Sequence, residues 1–225
     1  MIQLLTDSAA DLTAQELQAL QITVIPLGVH FGADAYLDGR TLDRPTFYRL
    51  LQSSAVFPTT SQPSPADFES CFSAARAKGD DVVAVLLSSA LSGTFQGACI
   101  AREMVLEEHP EKKIFVLDTL SCSGALAGAA ELANKLIRIG TSFDTICIEL
   151  ANWAQKGHIM FALASFDNLA KAGRVSRVVG FIAGRLNMRV LGRRTEDGTI
   201  DFFFKTRGEA RVLAKILEQM DEDGY

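Results

Sequence analysis

The chain has 225 residues, of which 48% are hydrophobic, so it can bury a substantial core in one large domain or two smaller ones. Its 22 basic and 27 acidic residues give a net charge of −5, which disfavours a sequence-independent hold on DNA or RNA. The four cysteines form no Cys-x-x-Cys pair, and no apolar run is long enough to cross a bilayer. These features predict a soluble, cytoplasmic protein with reduced thiols.

The first half of the chain alternates strand-like and helix-like segments, which is typical of an α/β domain with a parallel sheet flanked by helices. The predicted strands cover residues 2–5, 23–29, 81–87 and 114–117, and the predicted helices cover about 13–20, 45–52, 65–78, 94–108, 123–138 and 143–156. A turn-rich stretch at about 30–57 contains Asp38-Gly39 and predicts a hairpin-like excursion from this rhythm.

Two of these helices have clear starting signals. Thr13 and Glu16 have the spacing of a capping box, in which the side chain of each residue accepts the backbone N–H of the other. Ser64 is followed by Pro65 and then by Asp67, so a hydroxyl cap, a first-position proline and a first-turn acid coincide. Helices are therefore expected to begin directly after Thr13 and after Ser64.

The rhythm changes after Gly140, and we place a domain boundary at residue 150. Residues 1–150 are then the N-terminal α/β domain, and residues 151–225 form a smaller α+β domain. In the second domain, strands are predicted at 158–163, 187–193 and 199–205, and helices at about 166–170, 177–184 and 208–220. Asp197-Gly198 lies between the last two strands and predicts a hairpin.

Two short polar stretches, at 59–64 and 88–94, carry the strongest functional signal. Each leads hydroxyl groups into the start of a predicted helix, where free N–H groups and the helix dipole favour an anion. The second also follows a central strand, at the edge where open α/β sheets bind ligands. Neither stretch has a charged side chain, so neutral donors from Thr60, Ser61, Ser92 and Gly93 predict a site for a carboxylate or phosphate.

Other interpretations of these residues stay open. On composition alone, Thr60 and Ser61 also fit a plain loop before a capped helix. Asp7 and Asp118 end predicted strands, so either could act as a general base in a small hydrolase or phosphotransferase acting on an anionic small molecule. Ser92 lacks the Gly-x-Ser-x-Gly context of a nucleophile, the three histidines are dispersed, and the glycine-rich nucleotide motifs are absent. We therefore predict no catalytic residue, no metal and no cofactor.

Six motifs together resemble the DegV family of bacterial fatty-acid-binding proteins. They are Thr6-Asp7-Ser8 with Asp11-Leu12, Ile25-Pro26-Leu27, Thr60-Ser61-Gln62-Pro63-Ser64, Ser88-Ser89-x-Leu91-Ser92-Gly93-Thr94, Lys171-x-Gly173-Arg174-Val175-Ser176 and Leu186-Asn187. The resemblance implies a binding protein rather than an enzyme, with an α/β domain, a smaller α+β domain and a long-chain fatty acid in a tunnel between them. It also implies that the Thr60 and Ser92 hydroxyls hold the carboxylate, with backbone groups near Ser61 and Gly93 in support.

The same resemblance implies a partner and points to departures from the family. The bound acid would be presented to a fatty acid kinase, and Arg174 matches a position linked to that partner or to transient membrane contact. Family members continue some tens of residues further, so the second domain is expected to be incomplete, and Cys122 stands where small hydroxyl residues are usual. Apolar candidates for the tunnel wall are Phe161, Leu163, Phe166, Phe181, Ile182, Leu186 and Met188, although core packing explains each of them equally well.

Overall fold

The computed structural model describes residues 1–164, 167–174 and 188–224. The chain divides into two compact units, Met1–Gly157 and His158–Tyr225. The helix predicted at 177–184 lies outside the described residues. Within the described ranges, no helix is long and apolar enough to cross a membrane.

The first unit alternates strands and helices along most of its length. Its strands are β1 (Ile2–Asp7), β2 (Thr23–Ile25), β3 (Gly28–Phe31), β4 (Asp34–Leu37), β5 (Thr59–Ser61), β6 (Asp81–Leu86) and β7 (Ile114–Asp118). Its helices are α1 (Ala14–Leu20), α2 (Arg44–Ser53), α3 (Pro65–Ala77), α4 (Thr94–Glu108), α5 (Ser123–Arg138) and α6 (Phe143–Lys156). A short 3₁₀ helix, Ser8–Ala10, follows β1.

The main sheet of this unit is parallel and has the strand order β2-β1-β6-β7. Side chains alternate across β6, so Val82, Ala84 and Leu86 pack with α3 and α4 on one face. Val83 and Val85 pack with α5 and α6 on the opposite face. Burial on both faces explains why β6 is an almost unbroken apolar run, and the predicted α/β class is confirmed.

The excursion forms a second, antiparallel sheet with the order β4-β3-β5. The β3–β4 hairpin turns at Gly32, which has a φ of 64° that favours glycine. Strand β5 excludes the open alternative of a plain loop for Thr60 and Ser61, because Thr59–Ser61 pairs with β3 about thirty residues earlier in the chain. The single extended stretch predicted at 23–29 is likewise two strands, β2 and β3, in different sheets.

Local sequence signals set the starts of α1 and α3. The Thr13 hydroxyl accepts the N–H of Glu16, and the Glu16 carboxylate accepts the N–H of Thr13. Ser64 and Asp67 form the same reciprocal pair at the start of α3, with Pro65 at its first position. Both predicted helix starts are therefore confirmed.

The second unit has a small antiparallel sheet and flanking helices. Its elements are β8 (Met160–Leu163), α7 (Asp167–Ala172), β9 (Met188–Arg194), β10 (Ile200–Arg207) and α8 (Glu209–Glu222), and the strand order is β10-β9-β8. Strands β9 and β10 form the predicted hairpin, with Gly198 at a φ of 80° in its turn. The Phe161 and Phe202 rings pack edge to face, 6.1 Å apart, directly over Gly192.

All four cysteines are free and half-buried. Burial is the main cause that raises the pKa of each thiol above its ordinary value, and it raises the pKa of Cys147 to about 11. Thiolate, which is the reactive form, is therefore scarce at these four positions at neutral pH.

Asp7 joins the ends of the two central strands of the main sheet. Its Oδ2 accepts the N–H of Leu87 at 2.8 Å, just after β6, and its Oδ1 accepts the N–H of Ala9 at 2.9 Å. The carboxyl group is fully buried, and this desolvation raises its pKa to about 6 despite the two hydrogen bonds. Asp7 therefore titrates in the folded protein well above its ordinary range.

The pKa of Asp7 predicts a pH dependence of stability. A carboxyl whose pKa is higher in the folded chain stabilises most below its unfolded pKa, and this contribution is lost as the pH rises through about 6. The unfolding free energy of the wild type, minus that of Asp7→Asn, should fall by at most about 3 kcal/mol between pH 4 and pH 7. Urea unfolding at both pH values measures the difference, and a constant difference would contradict the raised pKa.

The packing over Gly192 predicts a second effect on stability. A Cβ at this position would lie 2.5 Å from Phe161 Cζ and 3.0 Å from Phe202 Cε1, so Gly192→Ala should cost about 1–3 kcal/mol by overpacking. Gly124→Ala in α5 is the matched control, since a Cβ there meets nothing within 4 Å. Hydrogen exchange of the β8–β10 amides measures both variants, and equal protection in the two would refute the packing argument.

Candidate functional site

The candidate site lies where the strand order of the main sheet reverses. From β1 the chain moves to β2 on one side, whereas β6 lies on the other side of β1. The segments that follow β1 and β6 therefore diverge, and open α/β sheets bind ligands in the crevice left at such a point. The hydrogen bond from Leu87 N–H to Asp7 spans this junction, as does the bond from the Thr6 hydroxyl to the carbonyl of Val85.

The turn after β6 places Ser92 at the start of α4. The N–H of Ser92 bonds the carbonyl of Ser88 at 3.1 Å, and the N–H of Ser88 bonds the carbonyl of Ser121 at 2.8 Å. Ser92 Oγ accepts the N–H of Thr94 at 3.3 Å and lies 2.9 Å from the Thr94 hydroxyl. The residue between them, Gly93, is the helix cap and has no side chain to satisfy the other N–H groups of the first turn.

Thr60 and Ser61 are adjacent in strand β5, so their side chains lie on opposite faces of the small sheet. Thr60 lies opposite Val29 in the sheet, and both side chains line a cavity of about 470 Å³. Ser61 lies opposite Gly28, and its Oγ is 3.0 Å from His30 Nε2. The Thr60 and Ser61 side chains therefore do not converge on one point, and Ser61 can join Thr60 at a ligand only through its backbone.

β5 is an edge strand, and this leaves part of its backbone unused. It pairs with β3 on one side and has no strand on the other in the described residues. The N–H and C=O groups that point away from β3 are therefore open to a ligand. Participation of backbone groups near Ser61 in the site stays a prediction.

The cavity beside Thr60 is more charged than the sequence stretches suggested. Its walls come from the end of β1, from α1 and from the excursion, and include Asp7, Ser8, Asp11, Leu12, Leu17, Val24, Val29, Asp38, Arg40, Arg44, Phe47 and Tyr48. Arg44 is engaged by Asp11, since its Nη2 donates to the Asp11 carbonyl at 2.7 Å and lies 3.8 Å from the carboxylate. Sequence reasoning named Asp7, Ser8, Asp11 and Leu12, but not Arg40, Arg44, Phe47 or Tyr48, because these come from the excursion and share no local pattern with the polar stretches.

Gln62 brings the two polar stretches together. A Cβ at Gly93 would overlap the amide of the exposed Gln62 side chain, whose oxygen is the nearest atom and whose Cδ would lie at 2.8 Å, so a larger residue here would displace this side chain. One turn further along α4, a Cβ at Gly97 would lie 3.5 Å from the carbonyl oxygen of Pro63. The segment after Thr60 thus packs on the segment after Ser92, although sequence reasoning gave Gln62 no role of its own.

The two acidic candidates have structural roles. Asp118 Oδ1 accepts the N–H groups of Ser89 at 3.1 Å and of Leu120 at 2.9 Å, so it orders the turns after β6 and β7. Asp7 does the same for the turns after β1 and β6. Within residues 1–164, 167–174 and 188–224, no group of three or more His, Cys, Asp and Glu side chains could hold a metal ion.

Arg174 and the proposed tunnel residues belong to the second unit. Arg174 follows α7, is exposed, and donates from Nη1 to the carbonyl of Ala172 at 2.7 Å. Phe161 and Leu163 are half-buried in β8, and Met188 begins β9. The remaining candidates, Phe166, Phe181, Ile182 and Leu186, lie outside the described residues, as do Val175, Ser176 and Asn187 of the sequence motifs.

Comparison with known proteins extends these observations. A DegV domain-containing protein of Streptococcus pyogenes serotype M1 is 31% identical over 225 residues, which is 99% of this chain and 79% of the relative. A stearic acid-binding protein from Eubacterium ventriosum has a similar structure, with a TM-score of 0.89 and 27% identity, over 100% of this chain and 78% of that one. The Streptococcus pneumoniae Fatty Acid Kinase B3 protein, solved with linoleic acid, is also similar in structure. Its TM-score is 0.87 and its sequence identity 28%, over 100% of this chain and 79% of that one.

The family model described as an uncharacterised protein of the DegV family matches residues 1–225. The match covers every sequence motif on which the resemblance was based, from the turn after β1 to Leu186-Asn187. This chain belongs to the DegV family.

Proposed function

We propose that this chain binds a long-chain fatty acid and that the hydroxyl groups of Thr60 and Ser92 hold its carboxylate, with backbone groups near Ser61 and Gly93 in support. The observation that carries the proposal is the packing of the two hydroxyl-bearing segments against each other where the sheet order reverses. Solved relatives at 27% and 28% identity bind stearic acid and linoleic acid, which supports the same ligand class here.

The acyl chain would provide most of the affinity. Burial of about fourteen methylenes at roughly 0.8 kcal/mol each contributes on the order of 11 kcal/mol before the cost of association. Neutral hydroxyl and amide donors then need only fix the position of the head group. The location of the acyl chain in an inter-domain tunnel stays a prediction.

Neutral donors also suit a site whose ligand changes during its use. Hydroxyl groups donate to a carboxylate and to an acyl phosphate alike, so substrate and product of a kinase could occupy one site. We therefore propose that the bound acid is presented to a fatty acid kinase and that Arg174 contacts this partner. A cytoplasmic location and transient membrane contact are parts of the same proposal.

The alternative, a small hydrolase or phosphotransferase, has less support. Both oxygens of Asp7 accept backbone N–H groups, and Asp118 accepts two, so each carboxylate is engaged in ordering turns. Ser92 Oγ bonds Thr94 rather than a histidine or carboxylate that could remove its proton. Turnover of an acyl ester by the purified chain, lost on Ser92→Ala, would favour this alternative.

The first test of the proposal is removal of each hydroxyl. A hydrogen bond to a charged group contributes about 1.5–3 kcal/mol, so Thr60→Ala and Ser92→Ala should each weaken palmitate binding by about ten- to a hundredfold. Isothermal titration with delipidated protein measures the dissociation constants. Wild-type affinity in both variants would contradict the assignment.

Two neighbouring hydroxyls serve as matched controls. Thr59 is in the same strand as Thr60, and its side chain alternates to the opposite face. Ser89 is exposed in the same turn as Ser92, and only its backbone N–H bonds Asp118. Thr59→Ala and Ser89→Ala should therefore bind palmitate as the wild type does.

The second test separates binding from presentation. The Arg174 guanidinium has five N–H donors, and the one bond to Ala172 leaves others for a partner. With a bacterial fatty acid kinase, ATP and palmitate, Arg174→Ala should reduce acyl phosphate formation about tenfold or more while palmitate affinity stays unchanged. Arg211→Ala, an exposed arginine of α8, is the control, and an equal rate in the two variants would contradict a role for Arg174.

A further inference from the structure

Asp7 is a buried titratable residue that also forms part of a cavity wall. Asp7 and Thr60 both line the cavity of about 470 Å³, which is on the order of 10 Å across. The carboxyl group is fully buried, and its two oxygens accept the N–H groups of Ala9 and Leu87. It therefore cannot turn away from a ligand beside Thr60 without losing both hydrogen bonds.

No positive charge neutralises Asp7 in the part of the chain that the structure describes, where no lysine, arginine or histidine forms an ion pair with it. Arg44 pairs instead with Asp11, at 3.8 Å. The other two charged residues of the cavity wall, Asp38 and Arg40, have opposite signs and lie on one turn after β4. A negative charge that enters the cavity would therefore act on a carboxylate that has no counter-ion.

The remaining titratable groups near this wall are Cys122 and His30. Cys122 precedes α5, and burial raises the pKa of its thiol, so this group is neutral at physiological pH. The His30 ring lies 3.0 Å from Ser61 Oγ, on the face of its sheet opposite to Thr60. Asp7 is therefore the group of this wall that an anion beside Thr60 would affect most.

Burial determines the pH range in which this effect appears. Desolvation raises the pKa of Asp7 to about 6, and a second negative charge nearby would raise it further, towards neutral pH. Salt screens charges only beyond a Debye length of about 8–10 Å, and it screens buried charges less. Protonation of Asp7 removes the repulsion, and its cost is small when the pH is close to the pKa.

We infer that Asp7 is a further residue of the head-group site, which takes up a proton from solvent when the anionic end of the ligand binds beside Thr60. This inference rests on the proposed function, since the anion is the carboxylate assigned to that position. The ligand stays ionised, and one negative charge of the protein is neutralised in its place. A neutral head group would bind without uptake of a proton.

Proton counting by calorimetry tests this role. Isothermal titration of delipidated protein with palmitate at pH 6.5, in two buffers that differ in ionisation enthalpy, gives the number of protons taken up. If the anion raises the pKa of Asp7 by about one unit, the wild type takes up about half a proton per ligand. Hexadecanesulfonate, whose head group does not titrate, should give the same uptake, and hexadecanol should give none.

The affinity for hexadecanesulfonate provides a second measurement. It should rise about tenfold between pH 8 and pH 5.5 in the wild type, because protonated Asp7 no longer repels the anion. Asp7→Asn keeps an oxygen that can accept an N–H group but does not titrate, so its affinity should vary by less than about twofold over this range. The wild-type proton count stands on its own if Asp7→Asn does not fold.

Asp118 and His30 provide the matched controls. Asp118 also accepts two backbone N–H groups at a strand end, but it does not line the cavity. His30 is the residue of β3 whose ordinary pKa lies in the same pH range. Asp118→Asn and His30→Gln should therefore keep the proton uptake of the wild type.

The outcomes separate this inference from the proposed function. If the wild type binds neither palmitate nor another long-chain acid, the proposed function fails. If it binds palmitate without uptake of a proton at pH 6.5, the function stands and the role of Asp7 is refuted. Uptake that persists in Asp7→Asn, or that occurs with palmitate but not with bound hexadecanesulfonate, also refutes the role, because another group or the ligand itself then takes the proton.

Discussion

The buried carboxylate of Asp7 holds the centre of the larger unit together, because its two oxygens join the end of β1 to the residue after β6. These two strands lie side by side in the sheet, but the chain segments that follow them turn apart. Without an acceptor at this junction, the N–H group of Leu87 would be buried without a partner. The carboxylate thus fixes the position from which the Ser88–Thr94 turn and α4 begin.

A second constraint is the absence of side chains at Gly93 and Gly97. These glycines are one turn apart on α4, so they open the same face of the helix to the segment of Gln62 and Pro63. The edge strand β5 can then bring Thr60 and its free backbone groups to the reversal point of the sheet. The two hydroxyl-bearing segments themselves are neutral, and their mutual packing depends on the absence of these two side chains.

Much of the fold could be predicted from the sequence, because its strongest signals are local. The capping boxes at Thr13 and Ser64 involve residues only three apart. The continuous apolar run of β6 indicates a strand that is covered on both faces. Strand β5 could not be predicted in this way. Its three hydroxyl residues show no apolar alternation, and they form a strand only because β3 offers an unpaired edge.

The candidate site was predicted in part for the same reason. Thr60 and Ser92 stand in motifs that can be recognised along the chain, but the contact of Gln62 with Gly93 joins residues 31 positions apart, and no local pattern reveals it. The raised pKa of Asp7 likewise depends on burial beneath the turn after β6.

The four half-buried thiols have a consequence for the life of the protein in the cell. Peroxides and other electrophiles attack the thiolate, and burial keeps each cysteine almost entirely protonated at neutral pH. Sulfenic acid formation and mixed disulfides are therefore slow at all four positions. Reversible oxidation at these cysteines is therefore slower than at an exposed cysteine of ordinary pKa.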